Sequence, residues 1–154
     1  MHLSESQALP VPLPQAWAAL NELALLQAAI PGCESLLEIA DDEFVGELTL
    51  PLGPMTGHCT VYIHRREIDA PHGCTLHFEA STTGAGGTGS AALRLVQDSD
   101  DTTTLQVSVE VQINGPFAQL AGPFVEVAAR QMAAQFFERF RHGVVTRYPA
   151  AAMP

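Results

Sequence analysis

The residues best suited to metal chemistry lie on two neighbouring predicted strands. If the Ala70–Gly73 turn is a tight hairpin, His64 lies opposite His77, and Tyr62 lies opposite Glu79. Two imidazoles and a carboxylate are ligands that zinc accepts. Strand parity, however, places all of these side chains on the polar face of the sheet, away from any pocket on the other face. We therefore expect a solvated cross-strand pair and no metal site.

One cysteine and one arginine are further candidates for chemistry. Cys33 follows a Pro-Gly turn, but the adjacent carboxylate of Glu34 would raise its thiol pKa, so we expect a packing role. Arg65 and Glu67 continue the inward parity of their strand; they either line a pocket rim or reach solvent at the strand end, and we favour the second. The sequence contains no GxSxG elbow and no evident pair of inward carboxylates. It therefore predicts no catalytic residue and no cofactor.

The glycine run from Gly84 to Gly89 resembles a phosphate-binding loop only superficially. It lacks the Gly-Lys-Ser/Thr sequence, and strand residues follow it where a phosphate loop would begin a helix. We expect a flexible hairpin loop, which is compatible with a second role as a gate at the pocket mouth.

Charge and composition exclude several classes of function. The 154 residues carry a formal net charge of −10, which repels nucleic-acid phosphates and anionic lipids. We expect no export signal and no membrane-spanning segment. The three cysteines have no CxxC spacing, so we expect reduced thiols in a cytoplasmic protein with at most peripheral contact at the inner face of the cytoplasmic membrane. We expect one domain, residues 1–148, and a short tail, 149–154.

Hydrophobic periodicity predicts an α+β fold in which seven antiparallel strands curve around one long helix. A strand is followed by two short helices, then by six strands joined by short connectors, and finally by a helical pattern that Gly122-Pro123 interrupts. We expect a lead-in turn before that interruption and the main helix after it. The predicted strands are Leu3–Leu9, Glu34–Ala40, Glu43–Leu52, His58–Asp69, Gly73–Thr82, Thr88–Gln97 and Thr103–Ile113, and the helices are Gln15–Leu20, Leu23–Ala29 and Pro123 to about Val145.

Alternation along the strands predicts one buried and one wet face of the sheet. It is clearest from Leu105 to Ile113, where every second residue is aliphatic. Seven strands offer more apolar surface than one helix covers, so the surplus is either filled by side chains or left as a pocket. The residues that we predict to line this pocket are Phe44, Leu48, Leu50, Val61, Ile63, Phe78, Leu93, Val107, Val109, Phe117, Leu120, Phe124, Ala128, Gln131 and Gln135.

Two glutamines make the predicted pocket less than wholly apolar. At about 100° per residue, Gln131 and Gln135 lie near the direction of Phe124 and Ala128 on the long helix. They either meet polar groups of a ligand, such as quinone carbonyls, or face water because the Gly122-Pro123 kink resets the helical phase.

The chain resembles the CoxG-like family associated with carbon monoxide dehydrogenase, within the START/Bet v 1-like (SRPBCC) superfamily of helix-grip proteins. The stretch from Ile30 to Leu36 is the specific part of the likeness, and the other segments support it. The segments that carry the resemblance are Ala16–Leu20, Ala29–Leu36, Gly84–Gly89, Gln119–Gly122 and Gln135–Phe137.

The resemblance implies a non-catalytic accessory protein of a molybdenum hydroxylase of the carbon monoxide dehydrogenase type. The ligand it implies is apolar, with a quinone or another isoprenoid lipid as the leading candidate, carried between enzyme and membrane. Members that dock on membranes are expected to use an extension after the long helix, and the short segment after Thr146 argues against stable anchoring here. Two alternatives stay open: an enzyme of the polyketide cyclase or hydratase type, and an assembly or recruitment factor for the hydroxylase that binds no ligand.

Overall fold

The protein folds as a seven-stranded antiparallel sheet with three helices within the residues that the computed structural model describes, 1–52, 54–82, 85–115 and 118–148. The strand order in the sheet is β1-β7-β6-β5-β4-β3-β2. The predicted α+β architecture is therefore confirmed. The strands are β1 (His2–Leu9), β2 (Cys33–Ala40), β3 (Glu43–Leu52), β4 (Met55–Asp69), β5 (Gly73–Thr82), β6 (Ala85–Gln97) and β7 (Thr103–Asn114), and the helices are α1 (Leu13–Leu20), α2 (Leu23–Ala29) and α3 (Ala118–Arg147).

Alternation sets which face of the sheet is covered. On β7, Leu105 is fully buried and Val107 half-buried, whereas Gln106 and Glu110 are exposed. Since neighbouring residues of a strand point to opposite faces, the aliphatic set faces the helices and the polar set faces water.

The two short helices owe their limits to proline and glycine. Pro14 lies in the first turn of α1, where a missing backbone N–H has no partner to lose. Helix α2 ends before Pro31-Gly32, and Gly32 has a φ of +74°. This left-handed conformation favours glycine, and it turns the chain into β2.

Helix α3 begins at Ala118 and runs through Gly122-Pro123 to Arg147, so the predicted break at this pair is wrong. A proline in the second turn of a long helix removes one hydrogen bond, and the remaining turns keep the helix continuous. Its C-terminal end is held to the α1–α2 connection by Glu22, which pairs with Arg147 at 3.1 Å and accepts a 3.2 Å hydrogen bond from the Tyr148 hydroxyl.

Most of the glycine run is strand where a loop was expected. Residues from Ala85 onward pair with β5 and β7, while Gly84 and with it the proposed gate lie outside the described residues. A Cβ built on Gly89 would lie 2.7 Å from Cζ of Phe78, so glycine leaves room there for an aromatic ring on the neighbouring strand. The tail from residue 149 onward also lies outside the described residues.

Candidate functional site: a cavity between sheet and helices

A cavity with two adjoining lobes lies between the sheet and the helices. One lobe has a volume of about 400 Å³ and is lined mainly by aliphatic and aromatic side chains of β3–β7 and α3; we call it the apolar lobe. The other has a volume of about 530 Å³, extends under α1 and α2, and includes Arg65; we call it the Arg65 lobe. The lobes are continuous because they share the lining residues Ile30, Leu36, Ile63, Leu76, Ala91, Val107 and Phe136.

Small side chains on α3 leave the apolar lobe unfilled. Ala128, Ala129 and Ala133 face the sheet over this stretch, together with Met132. The opposing strands contribute Val61 and other aliphatic residues at every second position. The helix and sheet are therefore held apart by their backbones, while their side chains do not meet across the gap.

Nine of the predicted pocket residues line the cavity. They come from β3, β4, β5, β6, β7 and α3, which shows that strand parity identified the inward face. Phe44 and Leu93 lie in the Arg65 lobe, Leu48, Val61, Phe78, Val109 and Ala128 in the apolar lobe, and Ile63 and Val107 in both.

Three other predicted residues lie outside the cavity lining. Phe124, Gln131 and Gln135 are exposed, so the glutamines face water and not the cavity. The prediction took Phe124 as a marker of the inner face, but that face is centred near Phe136; at about 100° per residue Gln131 then points away from the sheet. The side chains of Leu50, Phe117 and Leu120 lie outside the described part of the chain.

Arg65 supplies a positive charge to the second lobe. Its Nε and Nη2 donate to Oδ1 of Asp42 at 3.0 and 2.7 Å, and its Nη1 donates to the side-chain oxygen of Asn21. The guanidinium carbon also lies 5.8 Å from the ring centroid of Phe44. With 20% of its side chain exposed, Arg65 is a rim residue of the cavity, so the favoured expectation that it reaches solvent at a strand end is wrong.

Local backbone geometry brings Asp42 to Arg65. Asp42 occupies the β2–β3 turn with a φ of +60°, a conformation that aspartate and asparagine adopt more readily than most residues. Its carbonyl accepts a 2.8 Å hydrogen bond from the backbone N–H of Arg65 on β4. The same turn therefore fixes both backbone and side-chain contacts of the arginine.

The sequence prediction missed the contribution of α1 and α2. It treated α3 as the sole cover of the sheet, although Trp17 and Leu26 have the apolar character of covering residues. The residues that these helices and their connections add to the Arg65 lobe are Trp17, Leu20, Asn21, Leu23, Leu26 and Ile30.

The histidine pair has the predicted register. His64 lies opposite His77, and Tyr62 lies opposite Glu79. Within the described ranges, no group of three or more histidine, cysteine, aspartate or glutamate side chains is arranged to hold a metal ion.

All three cysteines line the cavity. Cys33 and Cys59 lie in the apolar lobe and Cys74 in the Arg65 lobe. Burial raises the pKa of each thiol above its ordinary value. For Cys33 the direction agrees with the sequence prediction, but the cause is burial and not the carboxylate of Glu34.

The helices of the described residues include none that is both long and apolar enough to cross a bilayer.

Solved structures share this architecture along nearly their whole lengths. A conserved protein from Geobacillus kaustophilus is 18% identical, with a TM-score of 0.86 and coverage of 95% of this chain and 96% of the other. The Zhui aromatase/cyclase from Streptomyces sp. R1128 is 14% identical, with a TM-score of 0.73 and coverage of 99% and 98%. A START superfamily protein from Mycobacterium smegmatis is 12% identical, with a TM-score of 0.72 and coverage of 95% and 98%. These likenesses confirm the helix-grip fold.

A comparison with curated proteins finds no match. The sequence from residue 8 to residue 145 matches the family described as the G-type subunit of carbon monoxide dehydrogenase (CoxG), which confirms the resemblance inferred from the Ile30–Leu36 stretch. The chain therefore belongs to the carbon monoxide dehydrogenase CoxG family.

Proposed function

We propose that this protein is an accessory protein without chemistry of its own, which binds an apolar ligand in the cavity between sheet and helices. The observation that carries the proposal is the apolar lobe, a space of about 400 Å³ inside the fold that side chains leave unfilled. Pockets for small molecules typically measure roughly 300–1,000 Å³ and are mostly apolar, so the size and lining are suitable.

The driving force for binding is burial of apolar surface. Each Å² of ligand surface removed from water contributes roughly 25 cal/mol. Ligands that expose a long hydrocarbon part to water gain most from this lobe, whereas strongly polar ligands lose hydration that the lining does not replace.

Family membership supports a quinone or another isoprenoid lipid as the ligand and a molybdenum hydroxylase of the carbon monoxide dehydrogenase type as the partner. A carrier for such a ligand would collect it from, or deliver it to, the cytoplasmic membrane by transient contact. We place the protein in the cytoplasm on this basis.

The character of the lining supports binding over catalysis. A cyclase or hydratase needs an acid–base group inside the pocket. Among the described lining residues of the apolar lobe, the titratable side chains are Cys33 and Cys59, whose raised pKa keeps them as neutral thiols at neutral pH. Neutral thiols are poor nucleophiles and poor bases.

Native mass spectrometry of the protein purified from its own host, followed by organic extraction, tests the proposal. We expect an isoprenoid or another apolar molecule near one equivalent per chain, and binding of added decylubiquinone by the emptied protein. Repeated recovery without an apolar ligand, together with no binding of added quinone, would overturn it. If such ligand-free protein still bound the hydroxylase, the assembly-factor alternative would take its place.

A further inference from the structure

The Arg65 lobe differs from the apolar lobe in containing charged and hydrogen-bonding side chains. Asn21, Glu38 and Arg65 are among its lining residues, and the first two are exposed, so this lobe reaches the protein surface. The apolar lobe joins it at the other side of Ile63 and Val107. A ligand that occupied both lobes would have its hydrocarbon part inside and its polar end at Arg65.

An arginine at the end of an apolar pocket commonly suggests a carboxylate clamp, because the guanidinium binds carboxylates through two parallel hydrogen bonds. Here that capacity is already used. Nε and Nη2 of Arg65 both donate to Asp42, whose charge balances that of the arginine. A second carboxylate would have to compete with one that the protein holds in place.

The remaining groups suit an uncharged oxygen. An arginine side chain has five N–H donors, and three of them are engaged by Asp42 and Asn21, which leaves two for a ligand. The amide of Asn21 gives one N–H to the carbonyl of Trp17 at 2.8 Å and has a second. The Glu38 carboxylate can accept a hydrogen bond from a hydroxyl, and it repels an anion.

We infer that the cavity selects neutral amphipathic molecules, whose carbonyl or hydroxyl oxygen bonds at Arg65 while the hydrocarbon part fills the apolar lobe, and that it discriminates against fatty carboxylates. This inference rests on the proposed function, since it assumes that the cavity takes an apolar ligand. It assigns Asp42 as a specificity-determining residue that acts by neutralising Arg65.

Displacement of Nile red, a neutral apolar dye, tests the selection. The competitors are 2-dodecanone, 1-dodecanol and dodecanoate at pH 8, where the acid is ionised. The quantity compared is the ratio of the dodecanoate Kd to the dodecanone Kd, because each protein variant then serves as its own reference for chain burial.

The Asp42→Asn variant should lower this ratio at least about tenfold, since a hydrogen bond between charged groups contributes more than one between neutral groups. Asparagine suits the positive φ of residue 42, so the turn is kept. The matched control is Asp41→Asn, one residue earlier in the same exposed turn, for which the ratio should stay unchanged. An unchanged ratio in Asp42→Asn, or tighter binding of dodecanoate than of dodecanone by the unmodified protein, would overturn the inference.

Arg65→Gln provides a second test that does not depend on Asp42. It removes the charged donor, so the affinity for 2-dodecanone should fall at least about threefold relative to that for dodecylbenzene, which has no polar head. An equal effect on both ligands would overturn the head-group role. If neither Nile red nor any competitor binds, the proposed function fails, whereas binding without discrimination contradicts this inference alone.

Discussion

The two halves of α3 face the same sheet but cover it in different ways. Towards its C-terminus, Phe140 and Val144 are both 0% exposed and pack in one cluster with Leu9 and Leu105. Towards its N-terminus, the side chains that face the sheet include Ala128, Ala129 and Ala133, and the apolar lobe lies there. We call these regions the filled end, defined by the cluster around Phe140, and the hollow end, defined by the lining of the apolar lobe.

The difference shows that the fold separates stability from ligand capacity along one helix. The filled end is completed by α1 and α2, which bury Ala16, Leu20 and Leu25 in the same cluster as Phe140. Phe136 joins the ends, since it lines both lobes of the cavity and stacks on Phe140 with ring centroids 5.4 Å apart. Substitutions at the two ends should therefore change different properties.

The largest expected effect is a loss of stability from Phe140→Ala. Truncating a fully buried phenylalanine removes apolar contacts and leaves a cavity, which costs about 3–5 kcal/mol. Urea denaturation followed by circular dichroism measures the free energy of unfolding. Phe124→Ala is the matched control: its side chain is 43% exposed, so the change should stay within about 0.5 kcal/mol. Equal losses in both variants would break the distinction of the filled end.

Filling the hollow end should remove ligand binding and leave the fold intact. In Ala133→Phe the new ring occupies the apolar lobe, so we expect at least a tenfold weaker Kd for decylubiquinone, equivalent to about 1.4 kcal/mol. The free energy of unfolding should change by less than about 2 kcal/mol, because the ring enters space that is already empty.

Ala134→Phe is the control for this experiment. Residue 134 is the exposed neighbour of Ala133 on α3, so the same ring is added outside the cavity. Its decylubiquinone affinity should match that of the unmodified protein. Undiminished quinone binding by Ala133→Phe would show that the ligand does not occupy the apolar lobe.

Much of the sheet could be predicted because a strand's two-residue period leaves a direct record in the sequence. The opposition of His64 and His77 followed from one short turn, and the inward set that contains Val61 and Val107 followed from parity. Both predictions need only local information.

The parts that failed depend on tertiary contacts. Gly89 lies in a strand because the ring of Phe78 fills the space beside it, and no local pattern indicates this. The inner face of α3 was misplaced because exposed Phe124 was taken as a core marker. The role of Arg65 depends on Asp42, which is 23 residues away in the chain.

A buried hydrogen bond at the filled end should give a smaller loss than Phe140. Thr103 is 0% exposed, and its hydroxyl donates to the carbonyl of Val11 at 2.9 Å, which joins β7 to the segment before α1. Thr103→Val keeps the shape but leaves that carbonyl without this partner, a loss of about 1–3 kcal/mol in the free energy of unfolding. Thr88→Val on the exposed face of β6 should cost less than about 0.5 kcal/mol. If Thr103→Val is as stable as the unmodified protein, the hydrogen bond contributes nothing net to the filled end.

The smallest expected effect is a pH-dependent change at the hollow end. Burial raises the pKa of Cys33 and Cys59 above the ordinary 9.0, so the folded protein keeps both as neutral thiols at pH values where the unfolded chain begins to ionise. Stability from this source is present below about pH 9 and is lost as the pH rises through the folded-state pKa, because the unfolded state then binds fewer protons.

The rate of iodoacetamide alkylation as a function of pH, followed at each cysteine by mass spectrometry, measures these pKa values. Because only the thiolate reacts, the midpoints for Cys33 and Cys59 should lie above that of N-acetylcysteine under the same conditions. Bound decylubiquinone should slow alkylation of Cys59 by covering it in the apolar lobe, whereas Ala133→Phe should abolish that protection. Midpoints at or below the reference thiol would mean that water enters the hollow end freely, which would contradict a ligand cavity that is dry and apolar.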